Sequence, residues 1–139
     1  MSNLQRAIEI AVSAHKGQTR KDGSPYILHP LRLMMSVDST VEKIVAVLHD
    51  VVEDTDVTAE QIRAEGFSEE VLEALRLVTH DSGEPYDEYI ARIRANPIAR
   101  AVKLADLRDN SNTFEIPTLE EKDLVRLEKY HRAYKTLLS

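Results

Sequence analysis

An all-α fold, one domain over residues 1–139 made of about six to eight short helices, is what this sequence predicts, on three observations. Apolar residues recur every three or four positions through most of the chain, which is the helical period. Its five prolines and four glycines fall mostly between those stretches, where helices stop and start. No alternating apolar run followed by a tight turn offers a β-hairpin. At 139 residues the chain has the length of one ordinary domain, able to bury roughly two-thirds of its unfolded surface.

The elements follow in order. Leu4, Ala7, Ile8, Ala11 and Val12 line a first helix. A loop from Gly17 to Leu28 is punctuated by Gly17, Gly23 and Pro25, and Pro30 suits the first turn of a short second helix with His29 at its entrance. Ser39 with Glu42 spells a capping box for a third helix running to about Glu53; Thr58 with Gln61 repeats it for a shorter helix that Gly66 ends. Ser68 caps the next, with Val71, Leu72, Leu75 and Val78 inward. After a break from Asp81 to Glu84, Tyr86, Tyr89, Ile90 and Ile93 line another helix. Asn96-Pro97 starts one carrying Ile98, Ala101, Val102 and Ala105. Thr118 with Glu121 reads as a third capping box, and Leu124, Leu127, Tyr130, Tyr134 and Leu137 form the inner face of the last helix.

Composition excludes several classes. Without cysteine there is no disulfide framework and no thiolate metal site. Any metal must be held by His, Asp, Glu or Asn, which favours a hard or borderline divalent ion. The missing cysteine also fits a reducing cytoplasm, the expected location. A formal net charge of −6 argues against nucleic acid as the main partner. Met1 to Ala14 interleaves Gln5, Arg6 and Glu9 with its apolar residues, and no 18-residue apolar run exists, so neither a signal peptide nor a membrane span is expected. The charge is uneven: Arg6, Lys16, Arg20 and Lys21 make the start mildly basic, whereas Asp38 to Glu70 is acidic. An anionic substrate and a metal would require such an arrangement, and ordinary surface variation also produces it.

Three segments carry candidate chemistry. In VEKIVAVLHDVVED, the apolar residues Val41, Ile44, Val47, Leu48, Val51 and Val52 share one side of a helix, and Glu42, His49, Asp50, Glu53 and Asp54 the other. That side is either a solvated acidic face or a cation site, because close carboxylates repel unless neutralised. AHKGQTRKDGSPYILHP delivers His29 between a rigid loop and a helix start, which suits a cap or a ligand. His15 ends the first helix, where the helix dipole accounts for it. In VKLADLRDN, Asp106 emerges from an apolar stretch with Asn110 one turn on. A carboxylate there needs a cation, a donor or a metal, whereas Asp109 reads as a helix-surface residue.

An HD dipeptide with an upstream His and a distant Asp resembles the metal signature of HD phosphohydrolases. More specifically, GQTRKDGSPYILHP, LHDVVEDT and VKLADLRDN are similar, in order and spacing, to the three hydrolase motifs of the RelA/SpoT family, over about His15 to Thr113. The resemblance implies an HD-domain helical bundle in which His29, His49, Asp50 and Asp106 bind one divalent metal, usually Mn²⁺ in that family. It implies that Glu53 and Asp54 position and deprotonate the attacking water. It places Arg20 on the purine, Lys21 on base or phosphate, and Asn110 and Thr113 against the nucleoside, with Tyr26 packing the loop. The chain is too short for that family's synthetase domain, so it resembles a stand-alone small alarmone hydrolase. The implied reaction removes the 3′-pyrophosphate of guanosine tetra- or pentaphosphate, giving GDP or GTP and pyrophosphate, in the stringent response. Alternatives are another nucleotide (NADPH or an adenine alarmone), a silent nucleotide-binding sensor, or a helical interaction module. One departure bears on substrate choice: the family's third motif commonly has Arg directly after the metal-binding Asp, and here Leu107 and Arg108 stand in the other order. His80, Arg92, Arg94 and Arg100 are expected to be solvated.

Overall fold

The protein is described from a computed structural model over residues 3–114 and 116–139. Among the described residues the helices are α1 Leu4–Ala14, α2 Leu28–Ser36, α3 Thr40–Leu48, α4 Val51–Asp54, α5 Ala59–Ala64, α6 Glu69–Val78, α7 Tyr86–Ile93, α8 Pro97–Asn110 and α9 Glu121–Leu138. The one-turn α4 is an appendage of α3, which leaves eight longer helices. The only extended pairing among the described residues is an isolated antiparallel bridge between Thr19 and Pro25. No helix among them is long and apolar enough to cross a membrane.

α3 is the hub. Five successive residues, Ile44 to Leu48, are all buried, so the C-terminal half of this helix is apolar all round rather than on one stripe, as a central helix must be. α1, α2, α6 and α8 pack around it. α9 lies across α7 and α8 and closes the far side with Ala133 and Leu137.

Local signals set most boundaries. The capping boxes Ser39–Glu42 and Thr58–Gln61 form with both hydrogen bonds, and Ser68 caps α6 through Val71 N–H. Asn96 caps α8 ahead of Pro97, and Gly66 ends α5 at φ +90°, a left-handed conformation that glycine adopts without strain.

Four expectations fail. The third helix does not run to Glu53: it stops at Leu48, because the His49 ring Nδ1–H donates to the Ala46 carbonyl at 2.7 Å, the acceptor that a continuing helix would give to the Asp50 N–H. Asp50 then turns at φ −104°, ψ 1° before α4 begins. The last helix is capped by Glu120 with Asp123, not Thr118 with Glu121. Its Leu124 is 54% exposed, as is 49% of Val12 on α1. On α8 the buried residues are Ala99, Val102, Asp106 and Leu107, a face rotated from the expected one because this helix meets neighbours on several sides.

Candidate active site

Four donor atoms from three separate elements converge on one small volume. His29 comes from the first turn of α2, His49 and Asp50 from the α3–α4 turn, and Asp106 from α8. His29 Nε2 lies 2.9 Å from Asp106 Oδ1 and 4.0 Å from Asp50 Oδ2; His49 Nε2 lies 2.9 Å from Asp50 Oδ2 and 3.3 Å from Asp106 Oδ1. Donors about 2.1 Å from a shared ion stand about 3.0–3.4 Å apart at octahedral or tetrahedral angles and about 4.2 Å apart when opposed. These four separations fall in that range, and ligand atoms of His29, His49 and Asp50 all lie within 4.8 Å of one another.

The imidazoles are also oriented for it. His49 gives its Nδ1–H to the Ala46 carbonyl, and the Nδ1–H of His29 goes to Asp109 Oδ2 at 2.6 Å. Each ring therefore turns its Nε2 toward the other donors, the orientation a metal ligand needs. His49 Nε2 is buried and, among the described residues, finds no hydrogen-bond partner of good geometry, although two carboxylate oxygens lie near it. A buried orphan of this kind needs an explanation, and a cation supplies one. The residues present thus fit a divalent metal.

Charge balance in the protein alone is tight. Burial works against ionising Asp106, but Lys103, whose Nζ is 2.8 Å from Oδ2, and the two imidazoles hold its carboxyl well below the usual range. Burial likewise works against a charged His49, and Asp50 with Asp106 outweighs it, raising His49 well above the ordinary imidazole value. Tyr26 donates its hydroxyl to Asp50 Oδ2, so it does more than the loop packing expected of it, though its ring also tilts between His15 and His29 at centroid distances of 4.9 and 5.6 Å.

Beside this cluster, donor atoms of Asp50, Glu53 and Asp54 lie within 4.8 Å of one another. Partial burial, then the neighbouring Asp50, raises the carboxyls of both Glu53 and Asp54. Glu53 Oε1 accepts the His80 backbone N–H at 2.7 Å. This acidic trio forms although the helix was expected to be continuous.

A cavity of about 540 Å³ opens next to the donors, lined among others by Arg20, Lys21, Arg32, Arg126, Asp22 and Asp109. Tyr26 and Asn110 are also in its wall and touch Asp50 and Asp106 respectively. Four cationic side chains against two carboxylates give it the electrostatics of an anion site. Arg20 donates to Asp109 at 3.1 Å and to Asn110 at 2.9 Å, and Lys21 to Asp123 at 3.0 Å. Thr113 is not in the lining; Asn112 and Ile116 are, because α8 ends at Asn110 and the chain turns.

Asp109 corrects the surface reading given to it: its side chain is 15% exposed and it receives His29, Arg20 and Arg32. His80 and Arg92 are structural rather than solvated. The first stacks on Tyr89 at 4.4 Å, and the second ties Glu84 to the carbonyls of Leu77 and Thr79. His15 is buried, with Nδ1 paired to Gln18 at 2.8 Å. Sequence reasoning missed Arg32, Arg126 and Tyr130 in the cavity wall; the i, i+4 spacing of Arg126 and Tyr130 on α9 was the available signal.

The comparisons with known proteins agree with this geometry. Human (Homo sapiens) guanosine-3′,5′-bis(diphosphate) 3′-pyrophosphohydrolase MESH1 is 32% identical over 143 residues, covering 93% of this chain and 79% of that protein. The chain belongs to the RelA/SpoT hydrolase family. A guanosine-3′,5′-bis(diphosphate) 3′-pyrophosphohydrolase of Aquifex aeolicus (strain VF5) is 34% identical over 139 residues, 90% of this chain but 20% of that protein. The chain thus spans about a fifth of the length of that relative. A solved structure described as a metazoan SpoT ortholog that hydrolyses ppGpp superposes with a TM-score of 0.81 at 25% identity, covering 99% of this chain and 86% of that one. No family model matches the chain. Within the RelA/SpoT pattern, the inverted Leu107-Arg108 pair has a simple consequence. Leu107 is 1% exposed in the core, and Arg108 turns outward to the Tyr134 hydroxyl and ring, away from the cavity wall where Arg32 and Arg126 stand.

Proposed function

We propose that this RelA/SpoT-family chain is a metal-dependent hydrolase that removes the 3′-pyrophosphate of guanosine tetra- or pentaphosphate, releasing GDP or GTP and pyrophosphate. The observation that carries the reading is the convergence of His29, His49, Asp50 and Asp106 beside the Glu53–Asp54 pair and a cationic cavity. The relatives named for this activity support it. Mn²⁺ is the proposed ion, since two imidazoles and two carboxylates suit a borderline divalent metal. When bound it polarises phosphate oxygens and acidifies water.

The chain's own residues do the rest. Asp54 and Glu53 stand beside the attacking water as proton acceptors; carboxyls raised by burial and by Asp50 are stronger bases than ordinary ones. The water oxygen bonds to the phosphorus, the bond from phosphorus to the ribose 3′-oxygen breaks, and that oxygen leaves as the 3′-hydroxyl, taking up one proton in place of the one the water gave. Arg20, Lys21, Asn110, Arg32 and Arg126 line the space for the nucleotide, and the arginines offer planar forks to phosphate or a flat face to the purine.

Incubation of the purified protein with guanosine 3′,5′-bis(diphosphate) and Mn²⁺, followed by chromatography, tests this. GDP and pyrophosphate in equal amounts are expected, with no product after chelation or from Asp50→Ala. Turnover of NADPH or an adenine nucleotide but not of the guanosine compound would reassign the substrate; turnover unaffected by chelation would overturn the reading.

A further inference from the structure

Asp109 is the branch point of a closed ring of side chains, joining His29, Arg20 and Arg32. Its Oδ2 accepts from His29 Nδ1 at 2.6 Å, Arg20 Nη1 at 3.1 Å and Arg32 Nη2 at 3.0 Å; its Oδ1 accepts from Arg32 Nε at 2.7 Å. Arg20 Nη2 donates to Asn110 Oδ1 at 2.9 Å, Asn110 Nδ2 to Asp106 Oδ1 at 3.1 Å, and that same oxygen faces His29 Nε2 at 2.9 Å. The ring therefore runs His29, Asp109, Arg20, Asn110, Asp106 and back to His29. It joins two of the cation donors to the cationic loop of the cavity.

We propose that Asp109 is a positioning residue that couples the cation site to the nucleotide cavity, acting through His29 on one side and Arg20 on the other. A neutral imidazole carries one N–H, and a carboxylate on Nδ1 leaves Nε2 as the lone pair facing the other donors. The same carboxylate, with Asn110, holds the long Arg20 side chain in one place beside the cavity, so ordering of that side chain is done before a ligand arrives. Asp109 is aimed by Arg32, whose fork engages both of its oxygens, and so cannot swing away from either partner. Lys103 plays no part in this link, because it holds the opposite oxygen of Asp106.

The inference rests on the proposed cation site, and calorimetry separates the two. Mn²⁺ alone is titrated into the parent, Asp50→Ala, Asp109→Ala and Asp109→Asn, with circular dichroism to confirm folding. Asp109→Ala is expected to bind Mn²⁺ about 10- to 100-fold more weakly than the parent, and the isosteric Asn, which keeps an acceptor without the charge, to fall between. GDP is then titrated in the absence of metal into the parent, Arg20→Ala, Asp109→Ala and the double variant. Asp109→Ala is expected to weaken GDP severalfold in the parent background and to add nothing once Arg20 is gone. A folded Asp109→Ala that binds Mn²⁺ within about twofold of the parent overturns the inference while leaving the cation site intact; if that variant does not fold, Asp109→Asn decides on the same threshold. Additive losses in the double variant overturn the Arg20 half. Absence of Mn²⁺ binding by the parent, or full binding by Asp50→Ala, overturns the cation site itself.

Discussion

Lys103 shows how a single side chain can matter without facing a ligand. Its ammonium is largely buried, 2.8 Å from Asp106 Oδ2 and 5.1 Å from the centroid of the Tyr89 ring. It neutralises a carboxylate that the imidazoles alone would leave in apolar surroundings. Removing one partner of a buried pair strands the other, which costs about 3–5 kcal/mol. Lys103→Met is therefore expected to lose stability of that order in urea unfolding with chelator present, whereas an exposed change such as Lys122→Met is expected to be neutral. Asp106 and Asn110 were readable at this scale, because a carboxylate inside an apolar stretch demands an explanation. Asp109 was not: its residue type and helical position match a solvated acid, and only its neighbours from α2 and the 15–27 loop distinguish it.

Among the elements, α6 and α7 are joined by a strap that supports the Glu53 carboxylate indirectly. Arg92 hydrogen-bonds Glu84 and the carbonyls of Leu77 and Thr79, satisfying the C-terminal end of α6. The strap carries His80, whose backbone N–H meets Glu53. Hydrogen bonds from Arg92 hold the Glu84 carboxyl down at about 2, against 4.5 unfolded. A depressed folded value means the contribution is complete above 4.5 and is lost as pH falls toward 2. Glu84→Gln is expected to flatten the fall of melting temperature with pH across that interval, with little change near pH 7; an unchanged acid limb would contradict it. α3 is the other element that decides the outcome. Leu48, 1% exposed, ends the fully buried half of α3, and Leu48→Ala is expected to cost about 2–5 kcal/mol by denaturant unfolding. Because the next two residues are His49 and Asp50, the same change is expected to weaken Mn²⁺ binding as well.

For the whole molecule, the proposed cation site would tie ion binding to folding. The four donors come from α2, the α3–α4 turn and α8, and meet only when those elements are packed, so an ion that binds the folded chain stabilises it by mass action. At a free concentration 100 times its dissociation constant, Mn²⁺ is expected to add about 2.7 kcal/mol, read as a rise in melting temperature that Asp50→Ala abolishes. The cavity's four cationic side chains make capture of a polyanionic nucleotide sensitive to ionic strength. Its KM is expected to rise with added salt while kcat stays nearly level; a salt-independent KM would mean that the cationic wall does not bind the phosphates.

Signals that are local or periodic in origin specify the all-helical class, most helix starts through Ser39, Thr58, Ser68 and Asn96, and the segments bearing His29, His49, Asp50 and Asp106. Those signals act over three or four residues, within reach of a single turn's hydrogen bonds and faces. Tertiary structure alone decided which atoms of those segments meet, where α3 stops, and which cations wall the cavity. Arg32 and Asp109 acquire their roles from each other across elements, 77 residues apart in the chain. No property of the side chain in its own helix encodes such a pairing, because it exists only once the core around α3 has brought those elements together.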